Sequence, residues 1–374
     1  MKEATIGEIA LWQCGIGMDF TYSSGHHTYA ECLIFEIRCD GFTGLGESPG
    51  NWDLAVESAR KLLGRDPRQL EALLSFLTCA DSEQKLVREG LSIALYDLVG
   101  KMCGMPVYAL LGGQRRNDFP GMPVVHVGTP EVMARRAKKW VNAGYRFLKL
   151  KLRGNSQEDL EAVRAVRKAI GDEIDLQVDA NIGYRGAEEA LSVIQRMEDV
   201  RISIVEDIVD SDLDTYSRIR ARIAPRLMVD GEAWWPNVHN VIARGAADVI
   251  NHHPNNQGGL ATALQIDAVA TAAGLVTAIG SCGYFGIQNS AFQMLATVIG
   301  LERPCEDIGL LEYHSGPTAS EYLWGGAPTV VKETYPIRDG KIHVPDVPGL
   351  GLELDPERLA AYVKKQTVVR ANEV

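Results

Sequence analysis

Five ionisable side chains mark the ends of five successive apolar, strand-like stretches of the sequence. FLKLKL, IDLQVDAN, ISIVED, RLMVDGE and ADVINHH end at or near Lys151, Asp179, Glu206, Asp230 and His253. The steps of 28, 27, 24 and 23 residues match the roughly 25–30 residues of one β-strand and its returning helix. In a closed β/α barrel the carboxyl ends of the strands meet on one face, where the active site forms. The spacing therefore predicts a metal site of three carboxylates with a base on each side.

The first of these stretches carries two lysines on one side of the predicted strand. Lys149 and Lys151 alternate with the three leucines of LKLKL, so the two ammonium groups share a face. Inside a barrel, burial and mutual repulsion would lower the pKa of these groups and make one of them a usable base. A solvated basic strand face is the alternative interpretation.

The acidic residues supply hard oxygen ligands from consecutive strands, which suits Mg²⁺ that keeps several waters and binds a chelating substrate. Asp179 and Glu206 are two candidates, and Asp230 is the third. Glu232 shares the strand phase of Asp230 and is the alternative third ligand. Each acid taken singly could also be a turn, helix-cap or loop residue, and His253 could be structural.

Other polar residues are candidates for contacts with the substrate. His26, His27 and Tyr22 lie in the stretch MDFTYSSGHHTY, which we predict to form a loop of the first domain over the site. Asn181 follows the predicted ligand Asp179 closely, and Cys282 in IGSCGYFG could line the mouth of the site. A small buried hydrophobe is the alternative for Cys282.

Composition narrows the class of protein. The 374 residues carry a formal net charge of −11, which argues against a nucleic-acid or anionic-membrane partner. Seven cysteines without a CxxC pair make a disulfide framework unexpected. No apolar run reaches the roughly 18–20 residues that span a bilayer. We therefore expect a soluble, cytoplasmic protein without a nucleic-acid or membrane partner.

The pattern of apolar residues changes along the chain and predicts three segments. Residues 1–120 combine a β-meander, with a turn at Asp40-Gly41, and helices that stop near Gly104. Residues 121–320 alternate strands with amphipathic helices such as SQEDLEAVRAVRKAIG, which predicts a parallel sheet covered on both faces. This helix is expected to begin with Ser156 in a capping-box-like start. Residues 321–374 return to short strands and a final helix, and we expect them to pack against the first segment.

Four motifs then resemble those of one enzyme family. GLSIALYDLVGKMCGMPVYALLGG is similar to the helix and turn ALWDLxGKxxGxPVYxLLGG of the enolase superfamily, in its mandelate racemase and muconate lactonizing branch. KLKL matches the family's K-x-K, VDAN and VED match its first two metal-ligand segments, and VPDVPGLGLELD matches its P-x-x-PGLG signature. The resemblance extends over nearly the whole chain.

The resemblance implies a modified TIM barrel, (β/α)₇β, with an α+β capping domain built from both the first and the last segment. It implies removal of the proton α to a carboxylate, with one Mg²⁺ per subunit stabilising the enediolate. By position, Lys151 is the base, Lys149 modulates its pKa, and Asp179 and Glu206 are ligands. An ungapped alignment favours Asp230 as the third ligand, whereas GEAW resembles the racemase-like GENW and favours Glu232. We choose Asp230.

The second acid/base group departs from the family pattern. Five residues before Gly258-Gly259, lactonizing-type enzymes carry a lysine, and racemase-type enzymes carry an aspartate paired with a histidine of the next strand. The chain has His253 there, and the next strand (AIGSCGYFG) contains no histidine. This pattern leaves one arrangement, in which Lys151 is the base and His253 is the acid or proton donor of the opposite face.

The leading hypothesis from the sequence is dehydration of a small hydroxy carboxylic acid. Racemisation or epimerisation through Lys151 and His253 is the alternative, and a cycloisomerase is a third, because this fold hosts many reactions. A protein that keeps the metal site and binds without turnover is the non-enzyme alternative. The resemblance also leads us to expect a symmetric homo-oligomer.

Overall fold

The computed structural model describes residues 4–23, 25–230, 237–280, 285–300, 305–306 and 329–373. Three antiparallel strands open the fold: β1 (Glu8–Tyr22), β2 (Gly25–Cys39) and β3 (Phe42–Ser48). The predicted Asp40-Gly41 turn is confirmed, because these two residues link β2 to β3 with φ of 47° and 82°. Two positive φ values in a two-residue loop match the right-handed twist of the flanking strands.

Helices of the same domain pack on this sheet. They are α1 (Trp52–Leu62), α2 (Leu70–Ser75), α3 (Ser82–Cys103) and α4 (Val107–Leu110). The predicted stop of α3 is confirmed, since Gly104 closes it in the left-handed conformation with φ of 66°, which glycine adopts without a Cβ penalty. The apolar face of α3 is buried against β2 and β3 in one continuous core.

The central part of the chain alternates strands and helices. The strands are β4 (Asp118–Met122), β5 (Val124–Val125), β6 (Phe147–Lys151), β7 (Asp175–Asp179), β8 (Ile204–Glu206), β9 (Arg226–Val229), β10 (Val249–His252), β11 (Val276–Ile279) and β12 (Cys305–Glu306). The helices are α5 (Pro130–Asn142), α6 (Ser156–Ile170), α7 (Ala187–Arg196), α8 (Leu213–Arg220), α9 (Val238–Arg244), α10 (Pro254–Gln257), α11 (Leu260–Ala272) and α12 (Ile287–Val298).

The strands from β5 to β11 form one parallel sheet in sequence order, each paired with the next. β12 pairs in parallel with β4. Apolar residues of the strands and of the surrounding helices form a second core, as expected when helices cover a parallel sheet. The predicted modified TIM barrel is confirmed, and the carboxyl ends of its strands lie along one face.

The start of α6 differs from the prediction. Asn155, not Ser156, is the N-cap, and its side chain accepts from the N–H groups of Gln157 and Glu158. Asp159 accepts from the N–H groups of Arg153 and Gly154, ahead of the helix. The capping-box interpretation of Ser156 was therefore wrong, because the cap began one residue earlier.

The remaining elements return to both parts of the molecule. They are β13 (Ile337–Arg338), β14 (Lys341–His343), α13 (Pro356–Tyr362) and β15 (Val363–Arg370). β14 pairs with β4, and β15 pairs with β1 to give a capping sheet of order β15-β1-β2-β3. None of the helices in the described part of the chain combines the length and apolar character needed to cross a membrane.

Two buried carboxylates of the capping domain, which we call the cap anchors, tie distant segments together. Glu47 on β3 accepts from the N–H groups of Phe285, Ile287 and Gln288 at 2.7–3.0 Å, at the start of α12. Asp97 on α3 accepts from the N–H groups of Leu45 and Leu350 at 2.8 and 2.7 Å, and from Lys101 Nζ at 2.7 Å. Glu47 thus joins the capping domain to the barrel.

Candidate active site at the strand ends

Three neighbouring strands place charged side chains next to one another. In the parallel ladder Lys151 pairs with Asp179, and Asp179 pairs with Glu206. The side chains of Lys149 and Lys151 point to the same side, and these residues are only 3% and 7% exposed. The alternative of a solvated basic face was therefore wrong.

The lysines are held by the acids. Lys149 Nζ bridges Asp179 Oδ2 at 3.0 Å and Glu206 Oε2 at 2.8 Å. Lys151 Nζ lies 2.6 Å from the same Asp179 Oδ2, and it donates to Asn181 Oδ1 at 3.1 Å. We call Lys149, Lys151, Asp179, Glu206 and Asp207 the strand-end cluster. Buried ion pairs of this kind are held only with good geometry and further hydrogen bonds.

Two amides complete the surroundings of Glu206. Gln177 Nε2 donates to Glu206 Oε2 at 2.7 Å, and Asn251 Nδ2 donates to Glu206 Oε1 at 2.9 Å. The sequence analysis missed both residues. Strand periodicity could have found them, because Gln177 lies two residues before Asp179 and Asn251 two before His253, and such positions share a face.

Asp207 is a third residue that the sequence analysis missed. Directly after Glu206, it should face away from the site in a regular strand, but its φ of 39° breaks the alternation. Its Oδ1 accepts from the N–H of Asp230 at 3.0 Å. Burial, followed by the charges of Asp230 and Asp179, raises the pKa of Asp207 to about 8.

The lysines have the opposite effect on Asp179. Burial alone would raise the pKa of Asp179, but the charges of Lys149 and Lys151 outweigh it and hold that pKa below its usual range. Asp179 is therefore anionic, whereas burial is the main reason that Asp207 resists ionisation.

His253 lies next to Asp230, at the end of the series of acidic residues opposite to Lys151 in strand order. It directly follows β10, and its Nε2 lies 3.1 Å from Asp230 Oδ2. Gly280, directly after β11, packs on the imidazole so closely that a Cβ there would overlap the ring. Asp230 and Gly280 together fix where the imidazole lies, and they come from the strands on either side of β10.

The residues predicted to contact the substrate lie in different parts of the structure. The Asn181 side chain is turned to Lys151. His26 and His27 are exposed and pair with Thr21 and Phe20 in the β1–β2 ladder, so their assignment to a loop was wrong because the hairpin continues as strands up to its tip. The Tyr22 side chain, Glu232 and Cys282 lie outside the described residues.

The donor set fits a hard divalent cation in type and charge. Carboxylate oxygens from three neighbouring strands are the ligands that Mg²⁺ prefers. Lys149 bridges two of these carboxylates. Among the described residues, no three acidic, histidine or cysteine side chains are arranged as a ready metal-ligand group. Lys149 would therefore have to move aside for Asp179 and Glu206 to hold a cation.

Comparison with known protein families identifies the family of this chain. A model described as enolase C-terminal domain-like matches residues 132–358, and the mandelate racemase / muconate lactonizing enzyme N-terminal domain matches residues 18–112. The chain belongs to the enolase superfamily. It lies in the mandelate racemase and muconate lactonizing branch, as its motifs predicted, and is therefore an isomerase or a lyase.

Relatives within this superfamily are mostly isomerases. The chain is 25% identical to N-succinyl-L-Arg/Lys racemase of Bacillus cereus over 94% of this chain and 95% of the racemase. The crystal structure of that racemase has a TM-score of 0.87 and covers 98% of this chain and 100% of its own. L-Ala-D/L-Glu epimerase of Bacillus subtilis is 31% identical over 67% of this chain and 73% of the epimerase. A probable glucarate dehydratase of Streptomyces coelicolor is 28% identical over 90% of this chain and 85% of the dehydratase.

Proposed function

We propose that this protein is a Mg²⁺-dependent racemase or epimerase that inverts the α-carbon of a small carboxylic acid, with N-acylated amino acids and dipeptides as the first substrate class. Several relatives are named racemases or epimerases. These names support inversion of the α-carbon over dehydration, which was the leading hypothesis from the sequence. Enolase-superfamily sites use lysine or histidine bases with Mg²⁺ and an enediolate intermediate, and this chain carries both kinds of base.

One observation supports the proposal: three strands with acids at their ends lie between the strand of Lys151 and the strand before His253. Lys151 ends β6 and His253 follows β10, and the three strands between them carry Asp179, Glu206 and Asp230 at their ends. In a curled sheet, four steps from strand to strand would bring the two groups to opposite sides of the space above the carboxylates. Inversion needs one group to take a proton from one side of a carbon and another to return a proton to the other side.

The chain's own residues would carry out the proton transfers. Neutral Lys151 Nζ takes the α-proton, and the ammonium that forms is stabilised by Asp179 Oδ2 at 2.6 Å. His253 gives a proton to the opposite face, so one proton leaves the carbon and one returns. Asp230 Oδ2 lies 3.1 Å from His253 Nε2 and orients the imidazole. In the reverse direction His253 is the base and Lys151 the acid.

The metal would supply charge stabilisation beside these transfers. Asp179, Glu206 and Asp230 would hold one Mg²⁺ per subunit, and its positive charge would stabilise the negative charge that develops on the substrate carboxylate. A homo-oligomeric assembly and a cytoplasmic location stay predictions.

The test is α-proton exchange followed by ¹H NMR in D₂O with Mg²⁺. Probes are N-succinyl-L-arginine, the dipeptide L-Ala-L-Glu and glucarate, with optical rotation recorded in parallel. We expect deuterium at the α-carbon of an amino acid derivative without loss of water, together with a change of optical rotation as the second stereoisomer forms. A keto acid product would instead support dehydration. No exchange by folded, Mg²⁺-binding protein would contradict the proposal and favour a binding protein.

His253→Asn provides the sharper arm of the test. If the two groups serve opposite faces, the variant still exchanges the α-proton of the stereoisomer that faces Lys151, while net inversion fails. The opposite stereoisomer should not exchange. Equal loss of exchange for both stereoisomers would show that His253 does not act on a separate face.

A further inference from the structure

The tip of the long β1–β2 hairpin contacts the barrel at one of its site loops. Ser23 Oγ donates to the carbonyl oxygen of Asn181 at 2.9 Å. The same loop is packed tightly, because a Cβ on Gly183 would lie 2.8 Å from Ser23 Cβ and 2.9 Å from Gly154 Cα. The hairpin therefore rests directly on the loop that follows β7.

This loop is fixed in an uncommon backbone shape. Asn181 and Ile182 have φ of 42° and 55°, a left-handed conformation that costs energy in residues other than glycine and is best tolerated by asparagine and aspartate. Ile182 N–H donates to the carbonyl oxygen of Asp207, and Gly183 N–H donates to that of Ala180 at 2.8 Å. These bonds hold the strained turn in place, as expected of strain at a functional site.

Three groups of Asn181 serve three different parts of the molecule. Its carbonyl oxygen binds Ser23 of the capping domain. Its N–H donates to Asp179 Oδ1 at 2.8 Å, and its side-chain Oδ1 accepts from Lys151 Nζ at 3.1 Å. Asn181 thus connects the hairpin, one proposed metal ligand and the proposed base within one residue.

We infer that Ser23 and Asn181 are positioning residues for Lys151, so that the hairpin of the capping domain sets where the base lies. The inference rests on the proposed function, in which Lys151 takes the α-proton. The lysine side chain has four rotatable bonds, so its Nζ needs contacts in more than one direction to be held in place. Asp179 Oδ2 and Asn181 Oδ1 supply two such contacts, and Ser23 holds the loop that presents the Asn181 oxygen.

The physical consequence is a link between the hairpin and the rate of proton transfer. A misplacement of about 1 Å at a reacting group can cost about 10²-fold in rate. Loss of the Ser23 hydroxyl should therefore lower the turnover number without weakening binding of the substrate to the same extent. A residue that only touched the substrate would show the reverse pattern, with a raised KM and an unchanged kcat.

The experiment measures kcat and KM for α-proton exchange with the panel compound that the wild-type enzyme exchanges fastest. For Ser23→Ala we expect a kcat about tenfold lower and a KM within about twofold of wild type. Ser23→Thr keeps the hydroxyl and should recover most of the rate. Asn181→Asp keeps the left-handed backbone and an oxygen facing Lys151, so it should exchange faster than Asn181→Ala.

Ser75→Ala is the matched control, because Ser75 Oγ also donates to a backbone carbonyl, that of Ala72 at 2.7 Å, on the separate helix α2. Its kinetics should match wild type. A kcat for Ser23→Ala equal to that of this control, or a change in KM alone, would overturn the inference. Exchange that persists in Lys151→Ala, or absence of exchange in the wild type, would contradict the proposed function itself and remove the basis of the inference.

Discussion

The cap anchors and the strand-end cluster both bury carboxylates, but they satisfy them with different donors. Glu47 receives three backbone N–H groups, and Asp97 receives two together with Lys101. Asp179 is instead shared by two lysine side chains, and Glu206 by one lysine and two amides. The cap anchors are held mostly by main-chain donors, and Asp179 and Glu206 are held mostly by side chains.

The difference separates structural from chemical roles. A backbone N–H cannot release its proton or swing aside, so an acid bound by it is fixed for the life of the fold. An ammonium group can lose a proton and can turn away on its flexible stem. The lysines of the strand-end cluster can therefore change their charge and contacts during a reaction, whereas the backbone donors of the cap anchors cannot. Substitutions in the two regions should act on different observables.

The largest effect is expected for the base. Lys151→Ala should lower α-proton exchange by about 10³-fold or more, because loss of a general base removes up to about 10⁴-fold. Its melting temperature should stay close to that of wild type. NMR exchange and thermal unfolding of the same preparation check both statements.

Lys101→Ala is the matched control, since Lys101 also donates to a buried aspartate but belongs to the cap anchors. It should lower stability modestly and leave exchange unchanged. Comparable losses of exchange in the two lysine variants would remove the distinction between the regions.

The next effect is on stability. Asp97 accepts from two buried backbone N–H groups, and Asp97→Asn would place an NH₂ group against one of them. Because that N–H would then lack an acceptor, the free energy of unfolding should fall by about 2–4 kcal/mol. Exchange per folded molecule should stay within about twofold of wild type, because the folded site is intact. Urea denaturation and active-fraction kinetics measure the two quantities. A stable but inactive Asp97→Asn protein would assign Asp97 to the chemistry.

A smaller effect, on the rate of inversion, is expected for Gly280, which follows β11 and packs on the His253 imidazole. Gly280→Ala would push a methyl group into the His253 imidazole. Inversion should fall by about 10–100-fold, the cost of a misplaced catalytic group, while exchange on the Lys151 face continues. Gly7→Ala, where no atom lies within 4 Å of the added Cβ, is the control and should behave as wild type. Full inversion by Gly280→Ala would show that His253 does not need its observed position.

The smallest effect concerns the third metal ligand. If Asp230 is that ligand, Asp230→Asn should weaken Mg²⁺ binding by more than the roughly tenfold that loss of an outer-shell partner costs. Glu232→Gln should then bind Mg²⁺ as the wild type does. Isothermal titration with Mg²⁺ alone compares the two variants. The reverse ranking would assign the position to Glu232.

The fold was predictable because its signals are periodic. The alternation of strands and helices, the turn at Asp40-Gly41 and the glycine stop of α3 each depend on local chemistry that the sequence displays. The strand ends that carry Lys151, Asp179 and Glu206 were likewise visible, because each residue is the last of its strand.

The rest depends on tertiary contacts that local patterns do not contain. Asp207 turns towards Asp230 through a left-handed backbone that strand alternation does not predict. The role of Asn181 rests on a contact with Ser23, 158 residues away. The need for glycine at position 280 arises from an imidazole on another strand. Each of these features exists only once the barrel and the capping domain are assembled.

The pairing of β1 with β15 has a consequence for how the protein is made. Arg370 donates to Glu8 across this pair, although the two residues are 362 positions apart in sequence. During synthesis on the ribosome, the outer edge of β1 stays unpaired until β15 is translated, more than 300 residues later. An exposed strand edge of this kind invites pairing with other chains. A message truncated before β15 should therefore yield an aggregation-prone product, even though its barrel residues are complete.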